Sequence, residues 1–339
     1  MKLTKNIKQF KELLDTAKKV VIIQADNPDG DSLASSLALE QIIHDLKKEP
    51  FLYCAIEMPQ YLRYLNGWDR VERDLPKEFD LSIIVDCSSI ELLESAKKTD
   101  VLSKISKKPC VILDHHTSVK SNISFASVAI NEPVASTGEL IYEISELFKW
   151  HLAPNAISAI ATSIMSDTLG LVSQSTSART IHIIAELVEK GVSLTLLDEA
   201  RRNVNRKSPE LIKYKGRLLQ RIEFFRDNSI SIITIPWEEI VKYSYSYNPS
   251  VLVLDEMRLG EGNLVAIAFK SYQNGRITAK IRTNYGAPVA DKLAKHFGGG
   301  GHEYSSGFKI DEKLRKDLES IKAETLKITS NLLDEIEKL

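Results

Sequence analysis

Two histidines follow an aspartate without interruption, and the three polar residues come directly after an apolar run. The run is 110–113, and the triplet is Asp114, His115 and His116. An acid and two imidazoles at the end of a buried strand would cost free energy if left unpaired there. Carboxylates and imidazoles are also ligands of divalent metals. The triplet therefore indicates a metal site, although an exposed histidine pair explains this motif equally well when it stands alone.

Acidic residues end two further apolar runs in the same way. The run 20–23 leads to Asp29 and Asp31, and the run 81–85 leads to Asp86. Alternation of strands with helices predicts a mainly parallel sheet, in which ligands lie outside the carboxyl ends of the strands. We therefore expect three strands to bring acids to one edge of the sheet. A solvated turn is the simpler alternative for the first of these segments.

A further carboxylate, Asp167, follows a predicted helix, where capping the next turn is its commoner role. If these acids converge, they cannot all stay ionised without cations, because like charges raise each other's pKa. Oxygen ligands mixed with imidazole suit Mn²⁺ best, with Mg²⁺, Co²⁺ and Zn²⁺ as alternatives. Two such ions activate water and stabilise charge at phosphorus, which predicts phosphoester hydrolysis. The predicted metal ligands are Asp29, Asp31, Asp86, His115 and Asp167.

The second half of the chain contains four consecutive glycines, 298–301, followed by His302. A flexible linker is poorly placed here, because the flanking segments are patterned like ordered structure. Consecutive glycines let backbone N–H groups approach an anion closely. Arg282 ends a predicted strand, where it is usually a surface residue but could bind two phosphate oxygens. The candidates for substrate binding in this half are Arg282, Gly299, Gly300, Gly301 and His302.

The spacing of apolar residues predicts an α/β protein: a mainly parallel sheet with flanking helices, plus a smaller α/β second domain across a cleft. We expect domains over 1–193 and 209–339, joined by a linker over 194–208 that carries a basic run. A solvated helix face is the favoured alternative for that run. In the first domain, helices are predicted over 4–18, 33–46, 136–148 and 154–165, and strands over 20–24, 51–56, 81–85, 110–113 and 125–130. In the second, helices are predicted over 210–224 and, with a break near Ser330, 311–339, and strands over 230–235, 264–270 and 276–282.

Composition limits the class of protein. The 339 residues include 45 basic and 46 acidic side chains, so polyanion binding must come from a local patch. No run of 18 apolar residues occurs, and the N-terminus lacks the pattern of a signal peptide. Three cysteines without close pairing suit a reducing compartment. We expect a soluble cytoplasmic protein without membrane association.

Together the motifs resemble the DHH phosphoesterase superfamily with its DHH-associated domain, and most closely its small bacterial members that act as oligoribonuclease and pAp phosphatase. The resemblance is carried by Pro28-Asp29-Gly30-Asp31, Val85-Asp86, Asp114-His115-His116 and Ser166-Asp167-Thr168, followed by Arg282 and 298–302. It implies a metal-dependent enzyme that hydrolyses short single-stranded oligonucleotides, such as nanoRNA and dinucleotides, or pAp.

The resemblance also implies residue roles. Asp29 and Asp86 would hold one Mn²⁺ ion, and Asp86 would bridge to a second ion. The ligands of the second ion would be Asp31, Asp86, His115 and Asp167. His116 would face the scissile phosphate, and Asp114 would orient the histidine pair. Arg282 and the glycine run with His302 would bind the nucleotide from the second domain.

One position departs from the family pattern. The family usually has a histidine four residues before Asp29, where this chain has Ala25. The first metal would then lose a nitrogen ligand. A nucleotide-binding sensor with weakened catalysis is therefore an alternative to the enzyme. A homodimer formed by the apolar helices after Asp114 is an open option.

Overall fold

The computed structural model describes residues 2–117, 121–245, 247–311 and 317–338. The chain divides into two compact units, Met1–Arg206 and Lys207–Leu339. Of the predicted linker, residues Leu194–Val204 form a helix within the first unit. The predicted domain boundaries stay a prediction. Among the described residues, no helix combines the length and apolar character that a membrane crossing requires.

The first unit is built on a five-stranded sheet in the order β2-β1-β3-β4-β5, with every neighbouring pair parallel. The strands are β1 (Lys19–Ile23), β2 (Glu49–Tyr53), β3 (Leu81–Val85), β4 (Cys110–Asp114) and β5 (Val128–Asn131). The helices are α1 (Lys5–Thr16), α2 (Gly30–Asp45), α3 (Glu94–Lys98), α4 (Val101–Ile105), α5 (Thr137–Phe148), α6 (Pro154–Asp167), α7 (Ala178–Glu189) and α8 (Leu194–Val204). Single 3₁₀ turns occur at Gln60–Leu62, Trp68–Arg70 and Ile90–Leu93. The predicted fold class, α/β with a mainly parallel sheet, is confirmed.

Both faces of this sheet are buried, as expected for parallel strands rich in Val and Ile. In β1, Val20 and Ile22 pack into one apolar cluster with α2, α5 and α6. Val21 and Ile23 point to the other face and pack with residues of α3 and α4. Complete burial of such a side chain stabilises the fold by ~1.5–3 kcal/mol. This two-sided core fixes the strands, and thereby the positions of the polar residues that follow them.

The helix α2 begins at Gly30, three residues earlier than predicted, because Asp29 caps it. The Asp29 carboxylate accepts a hydrogen bond from the backbone N–H of Ser32 at 3.0 Å. Asp31 therefore lies in the first helical turn, where the N-terminal dipole favours negative charge. Because the helix starts earlier, Asp31 belongs to the rigid α2 rather than to the preceding turn.

Two glycines bring α6 close to its neighbours. A Cβ atom added at Gly30 would lie 2.1 Å from Ser166 Oγ. A Cβ atom added at Gly138, near the start of α5, would lie 2.1 Å from Ser163 Oγ. Any side chain at either glycine would push α6 away. These contacts set where the last residue of α6, Asp167, lies.

The second unit contains a six-stranded mixed sheet in the order β10-β11-β9-β8-β7-β6. Among the described residues of this sheet, only β7 and β8 are parallel neighbours. The strands are β6 (Glu223–Phe225), β7 (Ile230–Ile235), β8 (Val265–Ser271), β9 (Ile277–Thr283), β10 (Gly300–His302) and β11 (Ser305–Ile310). The helices are α9 (Pro209–Leu219), α10 (Trp237–Tyr243), α11 (Pro249–Arg258), α12 (Ala290–His296) and α13 (Leu318–Glu337).

Two predictions for this unit are wrong in detail. The helix predicted over 210–224 ends at Leu219, and Phe224 pairs with Ser231 in the β6–β7 ladder instead. The break predicted near Ser330 is absent, since α13 continues through this residue, whose hydroxyl bonds back to Leu326 O at 2.9 Å. Residues 312–316 of the predicted terminal helix lie outside the described residues.

Candidate metal centre and basic groove

Neighbouring strands of the first sheet bring the predicted acids to one edge. β1, β3 and β4 are adjacent, so Asp31 after β1, Asp86 after β3 and His115 after β4 follow three parallel strands at their carboxyl ends. Asp167 arrives from α6 rather than from a strand. Four segments that are distant in the chain thus contribute to one cluster.

The imidazole of His115 lies at the centre of this cluster. Its Nε2 atom is 3.6 Å from Asp31 Oδ2, 3.5 Å from Asp86 Oδ1 and 3.6 Å from Asp167 Oδ2. Its Nδ1 atom is 3.2 Å from the carbonyl oxygen of Val134, which can only accept a hydrogen bond. In the neutral ring Nδ1 therefore carries the proton, and the lone pair of Nε2 faces three carboxylates.

This arrangement fits a divalent cation. The buried Nε2 atom of His115 has no hydrogen-bond partner. A lone pair and three carboxylates directed at one point repel each other unless a positive charge lies between them. Oxygen and imidazole ligands suit Mn²⁺, Mg²⁺ and Zn²⁺ to different degrees. Three of the four ligands expected for the second ion, Asp31, His115 and Asp167, have ligand atoms within 4.8 Å of one another, and Asp86 lies 3.5 Å from His115.

Asp31 is held by an extensive set of donors. Its carboxylate accepts hydrogen bonds from Ser163 Oγ at 2.5 Å and from Ser35 Oγ at 2.8 Å. The backbone N–H groups of Thr137 and Gly138, at the start of α5, add bonds of 2.8 and 3.4 Å. A helix N-terminus favours a carboxylate in this position. These donors fix the orientation of Asp31 before any ion arrives.

Asp86 adopts an unusual backbone conformation for a residue with a side chain, with φ of 55°. Left-handed conformations cost free energy and persist where surrounding structure enforces them. Here the Asp86 N–H bonds to Leu113 O at 2.9 Å, and Thr137 Oγ1 donates to the carboxylate at 3.2 Å. The strained conformation places the carboxylate beside both His115 and His116, at 3.5 and 3.6 Å.

Asp114 organises the histidine pair. One of its carboxylate oxygens accepts bonds from the backbone N–H groups of His115 and His116 and from His116 Nδ1, the last at 2.8 Å. Burial acts to raise the pKa of Asp114, but the hydrogen bonds from His116 and Ser88 outweigh it and hold that pKa below its usual value. The same bond raises the pKa of His116. Asp114 thus stays ionised and stabilises a protonated His116.

Asp29, Asp86 and Asp167 have pKa values displaced in the other direction. Burial raises the pKa of Asp167 to about 6, and Asp31 adds to the effect. Burial and repulsion by Asp31 and Asp29 raise the pKa of Asp86 well above its usual value. Burial also raises the pKa of Asp29. Such shifts are typical of carboxylates that a cation neutralises.

Two positions concern the predicted first ion: Asp29 is an expected ligand, and Ala25 stands where the family usually has a histidine. Among the described residues, two groups bring ligand atoms within 4.8 Å of one another: Asp31 with His115 and Asp167, and Asp86 with Asp114, His115 and His116. Asp29 belongs to neither group, since its carboxylate caps α2. Ala25 is buried in an apolar cluster. Asp26, the next residue, is also in neither group, and its Oδ2 atom accepts a bond from Ser95 N at 2.6 Å.

The second unit has a groove of about 680 Å³ that contains the predicted glycines and Arg282. Lys270 on β8 and Lys280 on β9 also line it, and no aspartate or glutamate does so among the described residues. Burial lowers the pKa of Lys270 to about 8, and repulsion by Lys280 contributes. Burial likewise lowers the pKa of Arg282. His302 pairs with Ser305 on the neighbouring strand and lies outside the lining.

Sequence reasoning missed several supporting residues. Ser35 lies one helical turn after Asp31, and Ser163 lies one turn before Asp167, so each serine shares a helix face with a predicted ligand. Lys280 precedes Arg282 by two residues and therefore lies on the same strand face. Both periodicities are visible in the sequence. Lys270 has no such signal, because its position depends on the pairing of β8 with β9.

Comparisons with known proteins show similarity over most of the chain. The chain is 23% identical over 308 residues to the bifunctional oligoribonuclease and PAP phosphatase NrnA of Thermus thermophilus, covering 88% of this chain and 87% of that one. It is 22% identical over 317 residues to the protein of the same description from Bacillus subtilis, covering 89% and 94% of the two chains. An exopolyphosphatase-related protein from Bacteroides fragilis shares the fold, with a TM-score of 0.81, 22% identity and coverage of 98% of both chains.

The family comparison covers the cluster directly. Residues 19–172 match the description "DHH family, N-terminal domain". The matched segment begins with β1 and extends beyond Asp167, and so includes every acid and both histidines of the cluster. The segment 19–172 is therefore a DHH family N-terminal domain, as the motifs predicted, and the relatives named above extend the similarity over most of the chain.

Proposed function

We propose that the protein is a metal-dependent phosphoesterase that hydrolyses short single-stranded oligonucleotides, dinucleotides in particular, and pAp. The observation that carries this proposal is the position of His115 Nε2, within 3.6 Å of carboxylate oxygens from three separate segments. The relatives described as oligoribonuclease and PAP phosphatase support the substrate class.

The proposed ligands of a tightly bound ion, preferably Mn²⁺, are Asp31, Asp86, His115 and Asp167. A divalent ion there would supply a water nucleophile at neutral pH and withdraw charge from a phosphoryl oxygen. The first ion of the family pattern, with Asp29 and Asp86 as ligands, would bind more weakly, because residue 25 provides no imidazole. We therefore expect one tight ion in each chain.

His116 is the proposed proton donor to the leaving oxygen. Its Nδ1 atom is bound to Asp114, while the side chain is 55% exposed, so Nε2 is accessible to a substrate. Since the bond to Asp114 raises the pKa of His116, a larger fraction of the ring is protonated near neutral pH. The protonated ring would also attract the phosphate before the reaction.

The basic groove of the second unit is proposed to bind phosphate groups of the substrate. Lys270, Lys280 and Arg282 provide positive charge, and the glycines 299–301 let backbone groups approach an anion. Residues 209–339 would accordingly be the substrate-binding domain of the family, and 1–193 the phosphoesterase domain.

Purified protein supplied with Mn²⁺ is expected to release mononucleotides from the dinucleotide pApA and phosphate from pAp. Parallel assays with Mg²⁺, Co²⁺ and Zn²⁺ would rank the ions, and equilibrium dialysis would count bound metal per chain. Binding of the dinucleotide without hydrolysis under every ion would reject the enzyme and favour the sensor alternative.

A further inference from the structure

The first unit has a cavity of about 290 Å³ beside the metal centre. Its wall is largely apolar and includes Tyr64, Met165, Leu169 and Leu197. Small-molecule sites of proteins typically occupy ~300–1,000 Å³. The cavity therefore has room for one small flat group rather than for a whole dinucleotide. We call it the base pocket.

The base pocket shares its boundary with the acidic cluster. Ser166 lines the pocket and directly precedes Asp167. Ser166 Oγ lies against Gly30, the residue between Asp29 and Asp31, and a Cβ atom added at Gly30 would be 3.9 Å from the Tyr64 hydroxyl. A group held in the pocket would thus be adjacent to whatever the cluster binds.

The wall of the pocket contains surfaces on which a planar ring can stack. Tyr64 provides an aromatic ring. Leu169 is 75% exposed and follows α6 in a left-handed conformation, with φ of 53°. Thr168 holds this turn, since its hydroxyl accepts a bond from Leu171 N at 2.9 Å. A left-handed backbone at a leucine is costly and persists where the surrounding turn enforces it, so the Leu169 side chain is held in place at the pocket.

The rim of the pocket carries one acid and one base. Asp198 and Arg201 both line it, and their side chains are 2.6 Å apart. Asp198 also accepts a bond from Arg202 Nε at 2.5 Å, but Arg202 does not line the pocket. The Arg201 side chain is 58% exposed, so its guanidinium is accessible from solvent. A guanidinium suits the phosphate attached to a nucleoside.

We propose that the base pocket binds one nucleobase of the substrate, stacked on Tyr64, while the adjoining phosphodiester lies at the metal centre. This inference rests on the proposed function. It predicts that the enzyme requires a base on one particular side of the scissile phosphate and tolerates its absence on the other.

The test uses a variant that fills the pocket, Leu197→Trp, and one that removes its aromatic face, Tyr64→Ala. Leu196→Trp is the matched control, because Leu196 is 65% exposed on the same helix and does not line the pocket. Tyr64→Phe keeps the ring and is a second control. The substrates are pApA and two analogues of it, each lacking one of the two bases.

Both pocket variants should raise KM for pApA by roughly 5- to 100-fold, as loss of one base stack would, while the controls stay within about twofold. With the analogue that lacks the pocketed base, wild type should already show the high KM, and the variants should add no further loss. Unchanged KM in both pocket variants, or equal losses on both analogues, would overturn the inference.

Binding measurements separate this inference from the proposed activity. In calorimetric titrations, wild type and Leu196→Trp should bind AMP more tightly than ribose 5-phosphate, and Leu197→Trp should lose most of that difference. This result would support the pocket even if wild type hydrolysed nothing. Equal affinities of wild type for the two ligands would reject the pocket, whatever the activity. Melting curves of Tyr64→Ala and Leu197→Trp would show that both variants fold.

Discussion

Burial acts on the ionisable groups of the two units in opposite directions. In the first unit it raises the pKa of Asp86 and Asp167, because an apolar environment disfavours their negative charge. In the second unit it lowers the pKa of Lys270 and Lys280, because the same environment disfavours their positive charge. Each cluster of like charge is unfavourable by itself. A bound cation would therefore stabilise the acidic cluster, and a bound anion would stabilise the basic groove.

The largest effect should come from Asp86→Asn. Asparagine tolerates the left-handed backbone at this position, so the variant should fold while losing one negative ligand. We expect turnover of pApA to fall by at least about 100-fold, together with weaker Mn²⁺ binding. Asp80→Asn is the matched control, because Asp80 lies beyond the opposite end of β3 and bonds to the backbone of Lys18 and Lys19. Full activity of Asp86→Asn would contradict the ligand assignment.

Metal removal tests the acidic cluster through stability. A carboxyl group whose pKa is raised by folding stabilises the fold at low pH, and that stabilisation is lost as pH rises through its folded-state pKa. For Asp167 this stabilisation is lost as the pH rises through its folded-state pKa of about 6. Added Mn²⁺ should therefore raise the melting temperature by several degrees at pH 7.5 and by much less at pH 5. Melting curves in Mn²⁺ and in chelator would show this, and a larger metal effect at pH 5 would contradict it.

Arg282→Gln tests the basic groove. A hydrogen bond to a charged group contributes ~1.5–3 kcal/mol, so AMP or pApA should bind about 10- to 100-fold more weakly. Lys295→Gln removes a cation that is paired with Asp291 on α12 and should leave binding unchanged. Titration calorimetry of both variants makes the comparison. Equal losses would mean that general charge, rather than the groove, attracts the nucleotide.

The smallest effect concerns Lys270. Because its pKa is about 8, it is charged at pH 7 and largely neutral at pH 9. Affinity for AMP should therefore fall a few-fold across this range, and Lys270→Arg should remove most of that dependence, since arginine stays charged. A pH dependence that is identical in wild type and Lys270→Arg would exclude Lys270 as its origin.

The residues that follow strands were predictable from the sequence, and those that depend on packing were not. Apolar runs that end in acids predicted the edge at which Asp86 and His115 lie, because parallel strands align their carboxyl ends. Three of the four bonds that hold Asp31, from Ser163, Thr137 and Gly138, depend on where α5 and α6 pack, and no local pattern specifies this. Phe224 shows the same limit, since pairing with β7 overrode its helical spacing. The placement of Tyr64 and Ser166 in the wall of one cavity belongs to this second class.

The contact between Gly30 and Ser166 has a consequence for how the protein tolerates change. Three of the four proposed ligands are positioned by strand ends or the helix that follows one, but Asp167 is positioned by how closely one helix lies against another. A single methyl group at residue 30, which has no charge and no part in coordination, would therefore displace one corner of the coordination sphere. A substitution at a residue that never touches the ion can therefore weaken metal binding.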